Sequence, residues 1–253
     1  YAQSSASLVN PASYTPTNVV AANSIGSVFG VNLSVNTVSD NTLPYGTSLD
    51  NVEVTIGGTL AQLSFVSPLQ INLVVPNVGT GPKALVVKRN GITTHTGTVT
   101  VNQIVAGFFL YSVITPTTVV NVGYTSRYSG FTLEAQRNFY TVNGANLLLQ
   151  PLENYVSGKT YIATLFLTGA SNSNTNTKIF KMRNTSTGVI TTIPLDYSGS
   201  CFCSPGLDQL NVKLSNSTNT AYVVGSGTYE CWAEWTNGSP LYVSTNSFTI
   251  VVL

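Results

Sequence analysis

Gln70-Ile71-Asn72-Leu73-Val74-Val75, led in by Ser67-Pro68-Leu69, decides the fold, because the chain carries the same pattern twice. Its second appearance is Gln209-Leu210-Asn211-Val212-Lys213-Leu214, led in by Pro205-Gly206-Leu207-Asp208. In both, aliphatic residues alternate with amides and other non-core positions, the period of a strand with one buried face. Working outward, each copy is preceded by an apolar and aromatic stretch, Leu63-Ser64-Phe65-Val66 in one and Leu195-Asp196-Tyr197 in the other. Each is followed by a polar or glycine-rich connection, an apolar strand (Ala84 to Lys88, Tyr229 to Trp235), an Asn-Gly turn and a closing strand. A supersecondary unit used twice predicts two related units with a boundary near Tyr111 to Pro116. The expected domains are 1–112, with an extended N-terminal strand, and 113–253, with elaborated loops.

Other runs fit the same scheme. Val52-Glu53-Val54-Thr55-Ile56 alternates strictly and then turns at Gly57-Gly58. Ile71 to Val75, Thr98 to Val101, Tyr161 to Leu167 and Phe248 to Leu253 also read as strands, punctuated by Asn90-Gly91, Asn143-Gly144, Ser157-Gly158 and Asn237-Gly238. No segment combines a helical period with capping residues. The predicted class is all-β, two tandem immunoglobulin-like β-sandwich domains.

An ordered set of motifs carries a resemblance. Val9-Asn10-Pro11-Ala12-Ser13-Tyr14, the stretch Ser24 to Ser34, Leu43-Pro44, Val54 to Gly58 and the Gln-Ile-Asn strand resemble the uncharacterised C-terminal domain of secreted Solibacter and other Acidobacteria proteins. Gly206 to Val212 and Gly227-Thr228-Tyr229 are similar to that family's second half. The resemblance implies an immunoglobulin-like, extracytoplasmic protein and brings no activity with it. Arg127 to Leu152 and Ser171 to Thr177 depart from the pattern as elaborations, and Cys201 to Cys203 lie outside it.

Composition narrows the function classes. Charged residues make up 8% of the chain, where about 25% is usual, while 13 Tyr and 10 Phe mark an ordered protein. A net charge of +1 leaves self-association almost unopposed by repulsion. Scattered cations, with Lys88-Arg89 the one adjacent basic pair, argue against nucleic acid. No apolar run reaches the roughly 18–20 residues of a membrane span. The low-charge composition, together with Tyr1-Ala2-Gln3 as a segment suited to leader cleavage, predicts export to the cell surface.

The cysteines are Cys201, Cys203 and Cys231. A secreted setting favours a disulfide over zinc, with one of Cys201 and Cys203 pairing with Cys231 and the other left over. His95, among threonines, reads as an exposed strand-end residue without the nucleophile and carboxylate a hydrolase needs. Gln70, Asn72, Gln209 and Asn211 read as structural amides. Asn32, Asn184, Asn216 and Asn237 begin N-glycosylation patterns of a kind expected by chance in such a composition. Glu230 and Glu234 share a strand face with Trp232 and form a candidate ligand patch, while Tyr229, Cys231, Ala233 and Trp235 fill the opposite, core-facing side. No catalytic, cofactor or metal set emerges, so the expectation is a protein that is not an enzyme.

Two functions fit these features. The first is an extracellular structural subunit of a bacterial surface filament or layer, which assembles with copies of itself by strand addition, using Ser4, Ser5, Ala6, Ser7, Leu8 and Val9 along a neighbour's sheet edge. The second is an adhesion or carbohydrate-binding module for surface polysaccharide, with Trp232, Tyr242 or Tyr155 stacking on sugar rings.

Overall fold

The computed structural model describes residues 4–15, 17–114, 117–170, 177–236, 241–244 and 246–253. The expected Asn237-Gly238 turn with its glycosylation pattern, Pro116, Tyr1 to Gln3 and most of the Ser171 to Thr177 elaboration lie outside them. Every regular element among the described residues is a β-strand, so the chain is all-β, in two sandwich units. The repeated motif sits at equivalent places. Strand Gln70–Val74 buries Ile71 and Leu73 while Gln70 and Asn72 look outward. Strand Asp208–Lys213 does the same with Leu210 and Val212. On the outer face Gln70 Nε2 donates to Asn72 Oδ1 (2.7 Å), and Gln209 Nε2 donates to Asn211 Oδ1 (2.8 Å). The shared spelling is therefore a shared geometry: two amides at i and i+2 satisfy one another on a strand surface.

The first unit comprises Tyr1–Gly107, Thr168–Ser173 and Ser200–Asp208, and the second Phe108–Leu167, Asn174–Gly199 and Gln209–Leu253. The changeover after Gly107 falls just before the boundary expected at Tyr111 to Pro116. Two segments from the chain's second half nevertheless group with the first unit, for a local reason. Ile25 N donates to Thr168 Oγ1 (2.8 Å), whose hydroxyl donates to Gly206 O (2.6 Å), and Val105 N donates to Gly169 O (3.1 Å). Gly206 lies where a Cβ would come within 3.0 Å of Ser24 and Ile25, so glycine is needed for this approach as well as for its φ of 76°.

In the first unit one sheet runs Ser4–Ser5, Ile92–Asn102, Gly81–Arg89, Val52–Ile56 and Thr59–Leu60, with Val19–Ala21 also on Ile92–Asn102. The other runs Ser7–Val9, Ile25–Phe29, Gln70–Val74, Gln62–Val66 and Val38–Ser39. Leu8, Val28, Leu63, Ile71 and Leu73 meet Val54, Leu85, Val87 and Val99 in one dry core. The Gly81–Arg89 and Ile92–Asn102 hairpin turns at Asn90-Gly91, both with positive φ (52° and 74°), as a tight hairpin of this hand requires.

The N-terminal segment corrects the expectation of a strand free for a neighbour. Ser4–Ser5 pairs in parallel with His95 and Thr96, Ala6 N donates to Thr96 O (3.2 Å), and Ser7–Val9 then pairs antiparallel with Ile25–Phe29. The segment thus crosses from one sheet to the other within its own chain. The crossing depends on Gly97, where a Cβ would stand 2.5 Å from Ala6 O. Leu8 and Val9 are buried, and that apolar burial holds the segment in place.

In the second unit a ten-stranded sheet runs Thr132–Asn138, Tyr124–Ser129, Thr160–Thr168, Asp208–Lys213, Ile190–Ser200, Thr177–Asn184, Gly227–Thr236 and Leu241–Val243. Gly107–Phe108 joins Thr160–Thr168, and Phe248–Val252 joins Gly227–Thr236. The chain's last strand is therefore also paired internally, Thr228 with Val251 and Cys231 with Phe248. Phe108 from one half of the sheet meets Phe248 from the other with ring centroids 5.0 Å apart, so the halves face each other across a core. Phe139 and Phe180 close around the same ring. The expected elaboration at Arg127 to Leu152 comprises most of the Tyr124–Ser129 and Thr132–Asn138 hairpin and a second hairpin, Tyr140–Asn143 with Asn146–Leu149.

Candidate functional site

Strand Gly227–Thr236 alternates as its sequence predicts. Tyr229, Cys231, Ala233 and Trp235 are buried, while Glu230, Trp232 and Glu234 are half-buried on the outer face. Antiparallel pairing with Thr177–Asn184 sets Arg183 opposite Glu230 and Lys181 opposite Trp232. Residues paired in this way share a face. Arg183 forms an ion pair with Glu230 Oε2, and Ser247 Oγ donates to Glu230 Oε1 (2.8 Å). Trp232 Nε1 donates to Glu234 Oε1 (2.8 Å), and Lys181 Nζ lies 4.0 Å from Glu234 Oε2.

Arg183, Glu230 and Trp232 line a groove of about 380 Å³ together with Val243, Ser244, Asn246 and Ser247. That is the small end of ligand sites, which run roughly 300–1,000 Å³. The groove is built on packed elements. Ser244 Oγ accepts from Ala233 N (3.2 Å), and Asn246 uses both ends of its amide on the Phe108 backbone (2.8 and 2.9 Å). Each nearby carboxylate already faces a cation, so the groove offers an indole and paired polar groups in place of a net charge. Such a surface suits an uncharged ligand with an apolar face and hydroxyls at its rim.

The three aromatics expected to stack on sugars do not form one row. Tyr242 is paired with the buried Trp235 and so lies on the face opposite Trp232. Tyr155 packs against Tyr161 (4.9 Å) and Tyr222 (5.0 Å), and its hydroxyl donates to Lys159 O (2.7 Å). Arg183, Ser244 and Ser247 were absent from the sequence-based patch. The signal for Arg183 lies in matched patterns: cations at positions 181 and 183 alternate on one strand as carboxylates at positions 230 and 234 do on another.

The cysteine expectation is corrected. Cys201 and Cys203 are bonded to each other, and Cys231 is a free, fully buried thiol. Strand Ile190–Ser200 ends before Cys201, and Phe202 takes a positive φ of 56°. The Cys-Phe-Cys segment is therefore a turn, which brings the two Cα atoms to 5.1 Å. An extended segment would hold them nearly two strand rises, about 6.6 Å, apart. Burial pushes the Cys231 thiol well above its ordinary pKa.

His95 is also corrected: it is 2% exposed. Its Nε2 lies 2.8 Å from Val31 O, which can only accept, so Nε2 carries the proton and Nδ1 faces Thr94 Oγ1 at 3.0 Å. Among the described residues no carboxylate oxygen is bonded to it. Among the described residues no cluster of three or more His, Cys, Asp or Glu side chains could hold a metal ion. Two of the glycosylation-pattern asparagines cap turns with their own side chains, Asn184 to Ser186 N and Asn216 to Thr220 N (both 2.9 Å).

No family model and no curated protein matches this sequence. Among solved structures, the chain aligns with the Escherichia coli adhesin FdeC at 10% identity, covering 98% of this chain and 64% of that one, with a TM-score of 0.26. It also aligns with the extracellular region of plexin A4 at 11% identity, covering 98% of this chain and 27% of that one, with a TM-score of 0.22. Likeness at this level carries no functional weight.

Proposed function

We propose that this chain is an extracellular, cell-surface protein that works by binding and not by catalysis, and that the Trp232 groove takes an uncharged stretch of polysaccharide. The observation that carries the reading is Trp232 itself. It is a half-buried indole on a sheet face, hydrogen-bonded to Glu234 and flanked in the groove by Arg183 and Glu230. The export-prone composition and the resemblance to secreted Acidobacteria domains belong to the same reading. Titration of the chain against a panel of neutral polysaccharide fragments tests it. Trp232→Ala is expected to weaken binding about 10-fold or more while leaving the melting temperature of the second unit nearly unchanged, since the indole lies outside the core. Equal binding by the variant, or a panel with no binder, would overturn the proposal.

A second reading, a structural subunit that assembles with its own copies, is favoured by one edge. Thr132–Asn138 ends the ten-stranded sheet, exposes most of its side chains, and has no strand paired on its outer side among the described residues. Strand addition then moves from the termini, which are paired internally, to this edge. Ala135→Pro, which removes a backbone donor in mid-edge, is expected to abolish any concentration-dependent association seen by sedimentation. Association unaffected by that change would place the contact elsewhere.

A further inference from the structure

We propose that the Cys201–Cys203 disulfide is a reactive site that accepts electrons from peptide dithiols by thiol–disulfide exchange, an activity that goes beyond the binding reading and does not rest on it. A structural staple gains most from a long loop and from sequestered sulfurs. This bond encloses one residue, and the backbone already holds the turn: Cys201 N donates to Leu207 O (2.9 Å) and Leu207 N to Ser204 O (3.2 Å). Cys203 is exposed and Cys201 half-buried, which favours attack on the Cys203 side of the bond. Between them Phe202 sits at a positive φ that a bulky residue adopts rarely, and the residue is 89% exposed. Exposed disulfides of this kind are the labile ones.

The surroundings select the partner. A groove of about 410 Å³ beside the bond is lined by Leu43, Pro44, Phe202 and Pro205, with Ser200 and Ser204 between them. Leu43 is 54% exposed there. An apolar side chain next to a partner's cysteine fits this surface, so a peptide thiol is favoured over a small hydrophilic one. In the first step a peptide thiolate attacks Cys203 Sγ, the Cys201–Cys203 bond breaks, and Cys201 leaves as a thiolate that takes up a proton. In the second step the peptide's other thiolate attacks the peptide sulfur of the mixed disulfide, and Cys203 leaves as a thiolate. The peptide is oxidised to its disulfide, and its two electrons and two protons end on Cys201 and Cys203. Each chain oxidises one dithiol.

The test uses the intact, folded chain and a reduced synthetic peptide carrying two cysteines, one beside phenylalanine. Alkylation and mass spectrometry are expected to find Cys201 and Cys203 reduced, one peptide oxidised per chain, and Cys231 unmodified throughout. The peptide should react about 10-fold faster than glutathione at equal thiolate concentration. Phe202→Ala, at a side chain that packs on no core, should remove that preference, so that peptide and glutathione react at similar rates. Persistence of the disulfide under excess peptide, or a variant that keeps the full preference, would overturn the proposal.

Discussion

Leu8→Ala tests whether the N-terminal strand belongs to its own sandwich or is lent between copies. Leu8 is fully buried in the first unit's core, and its Cδ1 lies 2.8 Å from where a Cβ on Gly26 would stand. No side chain at Gly26 can therefore move into the space that truncation leaves. Losses for such substitutions span about 2–5 kcal/mol, and those at sites that cannot collapse fall in the upper half, about 3–5 kcal/mol. With roughly 2–4 °C per kcal/mol for a chain of this size, the first unit's transition should drop by about 6–20 °C. Urea unfolding followed by tryptophan-independent probes, such as far-ultraviolet dichroism, measures the loss directly. Repeating it across a hundredfold range of protein concentration separates the two arrangements. A strand folded within its own chain gives a loss independent of concentration, whereas a strand supplied by a neighbour makes stability rise with it. A loss below about 0.5 kcal/mol, in the range of an ordinary surface change, or a stability that climbs with concentration, would refute the internal pairing. Gly97→Val, which drives a side chain against Ala6 O, should reproduce the loss from the other side of the same contact.

Two further outcomes follow from buried and loop polar groups. Asn121 is fully buried and donates to Phe109 O and Phe166 O (3.1 and 3.0 Å) while accepting from Gly123 N and Phe166 N (2.8 and 3.1 Å). Asn121→Ala takes the side-chain acceptor from Gly123 N and Phe166 N, while Phe109 O and Phe166 O keep Val122 N and Phe109 N as donors; at about 1 kcal/mol for each amide left without its acceptor the second unit should lose about 2 kcal/mol in chemical denaturation. Asp40 is held below its ordinary pKa of 3.8 by the amides of Thr42 and Gly46, and Asp50 below the same value by Asn36 and Ser34. Since both folded pKa values are depressed, their stabilisation is present above 3.8 and is lost as the pH falls through the lower folded values. Amide titration of Asn36, Thr42 and Gly46 by nuclear magnetic resonance should give midpoints below 3.8, and midpoints at or above it would contradict the assignment.

What could be read from the sequence is what a period of two encodes. The Gln-x-Asn strands show it best, because alternation fixes which residues turn inward and a repeated spelling fixes that the amides meet one another. The same rule placed Glu230, Trp232 and Glu234 together on an outer face. It could not say what stands beside them, since that is a matter of register between strands far apart in sequence: Arg183 reaches Glu230 across 47 residues. The cysteines failed for the complementary reason. The expected pairing of Cys231 with one of Cys201 and Cys203 needs those two to stay apart, but the strand stops at Ser200 and the chain turns through Phe202, which brings them together. His95 was misplaced because its partner Val31 O is supplied by a loop that no pattern near His95 announces. The N-terminal segment is the most instructive case. Its small polar residues look suited to lie on any open edge, and what commits them to their own is Leu8 against Gly26 and Ala6 against Gly97. Glycine leaves no hydrophobic signature, so a close approach between backbones is where alternation has least to say. The groove beside Trp232 lies between these extremes: its floor follows from alternation, and its walls from Ser244 and Asn246, each fixed by hydrogen bonds to backbone elsewhere in the same unit.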